Sequence, residues 1–295
     1  MITLKNTVLN NEVVLGETPD YQYILEEIDW GQVESRRQTY KFINQTGVIV
    51  TSSTLETRQI SITGWVIADS IFTMNNRKKV LNGFVNPLQM IDIVTEDGYK
   101  ISGLPESSIK YPTNVKSNNE IMCEFMITLF CPDPMFHLAK DNISNIATWL
   151  PKFHFPLIIP KDKGIIMGLR SPSLIVNVNN NGHIECGMTI IFTANGTVVN
   201  PSLVNVTTQE ELKIIKTMQN GESITINTND NNKYVEFLFG GITEAAFQYL
   251  DFENSVFLKL QKGDNLLRYN ADEGLDNLNV KIVYSPAYLE VQGVI

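Results

Sequence analysis

Short apolar segments separated by turn residues recur through the second half of the chain. In residues 221–228, GESITINT, isoleucines alternate with polar residues, which is the period of a strand with one buried face. Asn195-Gly196 and Asn220-Gly221 are typical turn pairs. The segment Glu210–Thr217 has some helical propensity, but a hairpin closed by Gly221 favours a strand there. The pattern predicts an antiparallel β-sandwich without a long helix.

The first half combines strands with one helix. Apolar and polar residues alternate in Arg58–Ile67, and Gly64 interrupts the run, which indicates a bulge or a close backbone approach. A turn at Asn44–Gly47 divides Tyr40–Val50 into two short strands. The spacing predicts a helix over 73–85, capped by Thr73 and ended by Asn86-Pro87. Its expected apolar face consists of Val80, Leu81, Phe84 and Val85.

The segment Ile121–Cys131 is apolar on both faces. If Phe125, Ile127 and Leu129 face the core, Met126 and Phe130 lie on the opposite face and need a second cover. We expect that cover to be the helix or a neighbouring copy of the chain. The outer face of this strand and the helix are therefore the predicted interface region, represented by Met126, Phe130, Arg77 and Lys78.

Proline residues and a polar stretch indicate a division into two domains. Cys131-Pro132-Asp133-Pro134 ends the strand, and the following residues to Pro151 are polar and irregular. We expect an N-terminal domain over residues 1–145 and a C-terminal domain over residues 146–295. The predicted fold class is mainly β: an N-terminal β-sandwich with one helix, followed by an antiparallel β-sandwich.

Composition narrows the function classes. The 295-residue chain is 43% hydrophobic and 19% charged, as globular proteins are, and its net charge of −9 disfavours nucleic-acid binding. No apolar run approaches the ~20 residues of a membrane helix, so we expect no membrane insertion. Cys123, Cys131 and Cys186 lack metal-ligand or redox spacing and are expected to be buried.

The sequence offers little catalytic chemistry. Its histidines are His137, His154 and His183, and only His183 begins a motif fragment, His-x-Glu, that lacks the rest of a zinc-deaminase signature. Thr228–Asn232 carries oxygen ligands but lacks the glycine and glutamate of a calcium loop. We therefore assign no catalytic, cofactor-binding or metal residues, and expect a protein that is not an enzyme and has no cofactor.

Eight pieces in order resemble the distal tail (Dit) proteins of siphoviruses. They are RQISITGW at 58–65, KKVLNGFVNP at 78–87, TLFCPDPMF at 128–136, FHFPL at 153–157, NGTVVNPSLVN at 195–205, NGESITINT at 220–228, KGDN at 262–265 and YSPAYLEV at 284–291. The residues that carry the likeness are Trp65, Pro87, Cys131, Pro132, Asp133, Pro134, Phe136, Pro156, Gly196, Pro201, Gly221, Gly263 and Asn265.

The resemblance implies an N-terminal ring-forming domain and a galectin-like C-terminal sandwich. It implies a ring of six copies, or stacked rings, that joins the tail tube protein to the tail-tip protein and anchors receptor-binding or baseplate proteins. DNA would only pass through, and the protein would be made in the host cytoplasm and reside in the virion. No inserted block of about 100 residues is present, and a short protruding arm around Lys161–Arg170 stays open as an alternative.

A second function stays open at this point, because lectins share the fold expected for the C-terminal domain. In this alternative the chain is a carbohydrate-binding module for adsorption to the host cell wall. Tyr234, Tyr249 and Tyr288 are the candidate platforms for stacking a sugar.

Overall fold

The computed structural model describes residues 1–44, 46–145, 149–151, 168–170, 174–230 and 232–291, with the backbone alone for 149–151 and 168–170. The chain forms two compact units. Unit 1 comprises Met1–Ala139 and the chain from Tyr288 onward, and unit 2 comprises Lys140–Ala287. This grouping differs from the expected division at residue 145, because the C-terminal segment returns to the first unit.

Unit 1 contains one main antiparallel sheet, a separate hairpin and one helix. The main sheet has the order β2-β1-β7-β8-β9-β6-β3, with β10 paired to β8, and β4 and β5 form a separate two-stranded sheet. The elements are β1 Ile2–Asn6, β2 Asn11–Leu15, β3 Tyr23–Asp29, β4 Ser35–Tyr40, β5 Ile49–Leu55, β6 Arg58–Ile67, α1 Ile71–Phe84, β7 Ile91–Thr95, β8 Tyr99–Pro105, β9 Met122–Cys131 and β10 His137–Leu138.

The core of unit 1 lies between the inner face of this sheet and the helix. Phe125, Ile127 and Leu129 of β9 are buried, as their alternation predicts. Met74 and Leu81 of α1 belong to the same buried cluster. The helix packs on the inner face of the sheet, against β6 and β2, and the expectation that it covers the outer face of β9 is wrong.

The helix begins two residues earlier than expected, and its buried face includes the expected Leu81, Phe84 and Val85 together with Met74, but not Val80. Ser70 has an extended backbone and its hydroxyl accepts a hydrogen bond from the Thr73 amide, so Ser70 is the N-cap and Thr73 lies inside the first turn. Met74 lies seven residues before Leu81 and shares its buried face, whereas Val80 is 54% exposed. The sequence pattern had placed Val80 in the core, which is incorrect.

Unit 2 consists of antiparallel sheets, which confirms the mainly β class. A six-stranded sheet has the order β11-β24-β15-β20-β21-β22 and a four-stranded sheet has the order β14-β23-β17-β18, with β12-β13 and β16-β19 as short pairs. The strands are β11 Asn142–Asn145, β12 Trp149–Pro151, β13 Gly168–Arg170, β14 Ile175–Asn180, β15 Thr189–Ala194, β16 Val198–Val199, β17 Ser202–Asn205, β18 Glu210–Lys213, β19 Thr217–Met218, β20 Ser223–Asn227, β21 Tyr234–Phe239, β22 Ile242–Ala245, β23 Gly263–Asn270 and β24 Leu278–Tyr284.

The inner faces of both sheets in unit 2 follow the predicted alternation. Ile224 and Ile226 are buried on β20, and Leu267 and Tyr269 are buried on β23. The segment Glu210–Thr217 contains β18, which pairs with β17, so the choice of strand over helix was correct. The hairpin expected at Gly221 does not form, because β20 pairs with β15 and β21 instead. The described part of unit 2 has only single-turn 3-10 helices, at Phe247–Tyr249 and Leu275–Asn277.

Gly64 lies where two strands approach closely, as its position within β6 predicts. A Cβ atom at this position would lie 2.4 Å from the Ile24 carbonyl oxygen and 2.7 Å from the Phe125 ring. We expect Gly64→Ala to lower the free energy of unfolding by about 1–3 kcal/mol, because backbone or core must shift to admit the methyl group. The matched control is Gly83→Ala in the exposed part of α1, which we expect to stabilise the chain by about 0.5–1 kcal/mol.

Thermal or urea unfolding of both variants measures the difference. A Gly64→Ala protein as stable as the unmodified chain would show that the close approach does not constrain the sheet.

Asn265 is a buried polar residue that organises a turn in unit 2. Its amide nitrogen donates to the carbonyl oxygens of Gln261 (2.8 Å), Gly263 (3.0 Å) and Val178 (3.3 Å), and its oxygen accepts from the Gln261 amide at 2.8 Å. The turn also uses the left-handed backbone of Gly263, whose φ is 88°. The role of Asn265 is therefore to fix the start of β23.

We expect Asn265→Ala to lower the free energy of unfolding by about 1–3 kcal/mol, because it removes the four hydrogen bonds of a fully buried side chain. Asn177→Ala is the control, since Asn177 is exposed and loses only a bond to Asp264, an effect of at most about 0.5 kcal/mol. Urea unfolding midpoints compare the two. Equal midpoints would mean that the Asn265 network does not stabilise the fold.

Candidate functional site

The β4–β5 hairpin is the least buried part of unit 1. The two strands pair with each other and, among the described strands, with no other, and every residue in both strands is exposed. A bulge lies after Gln38, where the Thr51 hydroxyl donates to the Gln38 carbonyl oxygen at 3.0 Å. Asn44 and Gly47 adopt positive φ angles of 63° and 84° in the connecting turn. The hairpin thus leaves the outer edges of both strands available for pairing.

The end of this hairpin carries an exposed apolar cluster, here called the hairpin tip. Ile43 is 94% exposed, and the Tyr40 and Phe42 rings meet edge to face at 4.7 Å. The other members of the hairpin tip are Val48, Ile49 and Val50, which are also exposed. An isolated hairpin is marginally stable in water, and a contiguous apolar patch of this kind marks an interaction surface.

Sequence reasoning found the turn of this hairpin but not its exposure. The turn residues within Tyr40–Val50 indicate two short strands, yet they do not reveal whether another sheet covers these strands. The sequence feature that could have indicated this exposure is the polar run Thr51–Thr54 beside apolar residues 48–50. This pattern gives β5 no continuous apolar face to bury.

Met126 and Phe130, two residues predicted for an interface, lie together on the outer face of β9. Each is just over a third exposed, and β6 places Thr63 opposite Met126 and Gln59 opposite Phe130. Met122, also partly exposed, extends the same row. Trp65 lies half-buried on the neighbouring strand, opposite Glu124. Glu124 and Thr128 lie between these residues on the same face, so the row forms a mixed apolar and polar surface of unit 1.

Arg77 and Lys78, the basic residues predicted for the same interface, are engaged within unit 1. The Arg77 guanidinium donates to the Ile67 carbonyl oxygen, and the Arg77 carbonyl oxygen accepts from the Tyr23 hydroxyl at 3.0 Å. The Lys78 ammonium donates to Asn118 at 2.9 Å and lies 5.3 Å from the centre of the Tyr111 ring. These contacts attach α1 to its surroundings, and an interface role for the two residues stays a prediction.

The Cys131–Phe136 segment has a structural role. Cys131 is fully buried, and burial raises the pKa of its thiol to about 12. Burial acts to raise the pKa of Asp133, but the hydrogen bond from His137 at 3.0 Å and the Met135 amide outweigh it and lower the pKa. Pro132 and Pro134 flank this aspartate. Phe136 exchanges two backbone hydrogen bonds with Tyr288, which attaches the C-terminal segment to unit 1.

The remaining motif residues also lie in turns or in the core. Pro87 follows the helix, at whose end the Asn86 side chain accepts from the Leu88 amide. Gly196 faces the Asn277 side chain, Pro201 is buried, and Gly221 has a positive φ of 87°. Pro156 lies outside the described residues, as do His154 and most of the segment considered for a protruding arm.

In unit 2, the carboxylates of the two motif fragments, His-x-Glu and Thr228–Asn232, accept hydrogen bonds from other side chains of the chain. Lys259 donates to Glu185 at 3.0 Å and to Asp230 at 2.7 Å, and Gln261 donates to the other Glu185 oxygen. The hydrogen bonds from Lys259 and Gln261 lower the pKa of Glu185. A lysine thus neutralises the acids of both the His-x-Glu and Thr228–Asn232 segments. In the part of the chain that the structure describes, no group of His, Cys, Asp and Glu is arranged to hold a metal ion.

The tyrosines considered as sugar platforms do not share one unit. Tyr288 belongs to unit 1, where its ring packs edge to face against Tyr99 at 5.3 Å. Tyr249 lies in unit 2, with the Lys216 ammonium 5.2 Å from its ring centre. Across the described ranges, no helix has the length and apolarity needed to span a membrane.

Comparison with known proteins agrees with the family resemblance found in the sequence. Residues 20–131 match the family model of the phage tail protein RIFT-related domain, and residues 181–288 match that of the siphovirus-type tail component, C-terminal domain. No curated protein sequence matches the chain.

Solved structures of tail proteins share the fold. The Dit protein of phage SPP1, described as a paradigm of the hub adsorption apparatus in phages that infect Gram-positive bacteria, is 13% identical with a TM-score of 0.65, over 97% of this chain and 99% of that one. A chain in the structure of the phage P2 baseplate in its activated conformation with Ca is 13% identical to this chain, with a TM-score of 0.55. The match covers 99% of this chain and 99% of that one.

The two family models match different parts of the chain and together cover most of it, in the order that the sequence motifs predict. The fold matches over nearly the full length of both chains. The chain therefore belongs to the siphovirus-type distal tail (Dit) proteins, structural components of the phage virion tail and baseplate.

Proposed function

We propose that six copies of the chain form a closed ring through unit 1, and that the ring joins the tail tube to the tail-tip protein. The observation that carries this proposal is the β4–β5 hairpin: every residue of its strands is exposed, and among the described strands the two pair only with each other. Burial against a second copy would remove both the apolar exposure and the unpaired strand edges.

A protruding hairpin favours a ring over a simple dimer. The hairpin tip differs in shape and composition from the outer face of β9, so a contact between them uses two different surfaces. Contacts of this head-to-tail kind generate a ring when the rotation closes. The row of Met122, Met126 and Phe130 is the surface that we propose binds the hairpin of the adjacent copy.

The proposal extends to neighbours in the tail and to the absence of chemistry. Unit 2 is available to anchor receptor-binding or baseplate proteins, a role supported by the hub and baseplate assemblies in which similar folds occur. A net charge of −9 suits a conduit through which DNA passes without binding. We infer that the chain has a scaffolding role, without catalysis or a cofactor.

Replacing Phe42 and Ile43 together by serine tests the role of the hairpin tip. Both side chains are exposed, so we expect the melting temperature of the isolated chain to change little, because surface substitutions usually cost at most about 0.5 kcal/mol. We expect at least about a tenfold loss of assembled tails when this variant complements a phage that lacks the gene, since a loss of about 1.4 kcal/mol per contact suffices.

The control replaces Leu88 and Val115, which are 89% and 80% exposed elsewhere in unit 1, by serine. Complementation yield and electron microscopy of tails provide the comparison. Normal tails from the Phe42 and Ile43 variant would contradict the proposed ring contact.

A further inference from the structure

A small cavity in unit 1 lies where the C-terminal segment meets the first residues of β6. Its volume is about 180 Å³, several times the ~30 Å³ that one water molecule occupies in the liquid. The residues that line it are Trp30, Gly31, Arg58, Phe136, Glu290 and Val291, all of unit 1. This cavity is distinct from the apolar surfaces assigned to ring formation.

Arg58 is an unusual residue for such a position, because it is only 1% exposed. Its Nη2 donates to the Leu289 carbonyl oxygen, and its guanidinium carbon lies 4.7 Å from the centre of the Phe136 ring. Its buried Nε–H has no acceptor among the described residues. A buried guanidinium is costly unless an anion or hydrogen bonds compensate it, and burial here lowers its pKa.

Trp30 supplies a second donor to the same cavity. Its ring meets Phe136 edge to face at 5.2 Å, and its buried indole Nε1–H also has no acceptor in the described part of the chain. Two residues that line one cavity and each carry a buried donor without an acceptor are rare in folded proteins. Both require the same complement, an oxygen acceptor, and one of them carries a positive charge.

We propose that this cavity is a carboxylate-binding site. A carboxylate offers two acceptor oxygens for the Trp30 and Arg58 donors, and its negative charge compensates the guanidinium. The Phe136 ring and the Val291 side chain give the walls apolar surface for the carbon attached to the carboxylate. Glu290 is exposed at the cavity and attracts Arg58 through charge alone, so it leaves these donors unpaired.

The carboxylate has two possible sources: a small free acid such as acetate, or an aspartate or glutamate side chain of a second copy. The second source rests on the proposed ring, whereas the site itself does not. The two sources are separable by experiment.

Acetate is the probe for the full-length chain. Two-dimensional ¹H–¹⁵N spectra follow the Trp30 indole and Arg58 Nε–H signals while sodium acetate replaces sodium chloride at constant ionic strength and pH 7. We expect both signals to shift together and to saturate. Shifts no larger than those caused by chloride, or shifts that do not saturate, would overturn the site.

Trp30→Phe removes one donor and keeps an aromatic ring against Phe136. We expect acetate to bind about tenfold more weakly, the effect of losing roughly 1.4 kcal/mol from one hydrogen bond, with the Arg58 signal as the readout. Trp65→Phe is the matched control, since Trp65 lies on the outer face of β6, and we expect unchanged binding. Equal affinity in the two variants would contradict the assignment.

Glu290→Gln tests whether the chain's own glutamate fills the cavity. The site predicts that acetate binding persists and tightens in this variant, because a competing negative charge is removed. If Glu290 were the occupant, its replacement would shift both signals without acetate, and acetate would have no effect on the unmodified chain.

Protein concentration distinguishes the sources. In one outcome, the two signals move toward their acetate-bound positions as the protein concentration rises without acetate, and added acetate abolishes this dependence on concentration. That outcome assigns the carboxylate to a second copy of the chain. Signals that respond only to acetate assign the site to a small free carboxylate. If neither acetate nor concentration moves them, the proposal is wrong.

Discussion

Burial of apolar surface is the requirement on which the structure of unit 1 depends, and one element does not meet it within its own chain. Strands β4 and β5 expose every residue, and the hairpin tip presents six apolar side chains to solvent. The compact part of unit 1, in contrast, buries one face of the sheet beneath α1. The hairpin is therefore understandable as part of an assembly, and the core is understandable from the chain alone.

The buried polar groups of the chain include both satisfied and unsatisfied ones. Asn265 satisfies its side chain inside unit 2 and fixes a turn, and Lys259 neutralises the nearby acids. Arg58 and Trp30 retain donors without acceptors in unit 1. In unit 2 the buried Asn205 side-chain amide also lacks an acceptor among the described residues, so incomplete interactions occur in both units.

Local periodicity predicted what depends on neighbouring residues in the sequence. It placed Phe125 and Met126 on opposite faces of β9 and identified the close approach at Gly64. It did not predict the first residue of the helix, because Ser70 and Thr73 can both act as N-caps. It also did not predict the hydrogen bond from Arg77 to a strand carbonyl oxygen. The exposure of the hairpin and the return of Tyr288 to unit 1 depend on long-range packing, which residue spacing does not encode.

The most direct measurement is the thiol reactivity of an Ile43→Cys chain, compared between the free protein and assembled tails. The native cysteines are buried, and burial raises the pKa of Cys131 and of Cys186 to about 12, so they contribute little background. The account predicts rapid maleimide labelling of the free chain and labelling at least about tenfold slower in tails, the mark of a contact worth roughly 1.4 kcal/mol. Equal labelling rates in both states would show that the hairpin tip remains exposed, and would contradict the account.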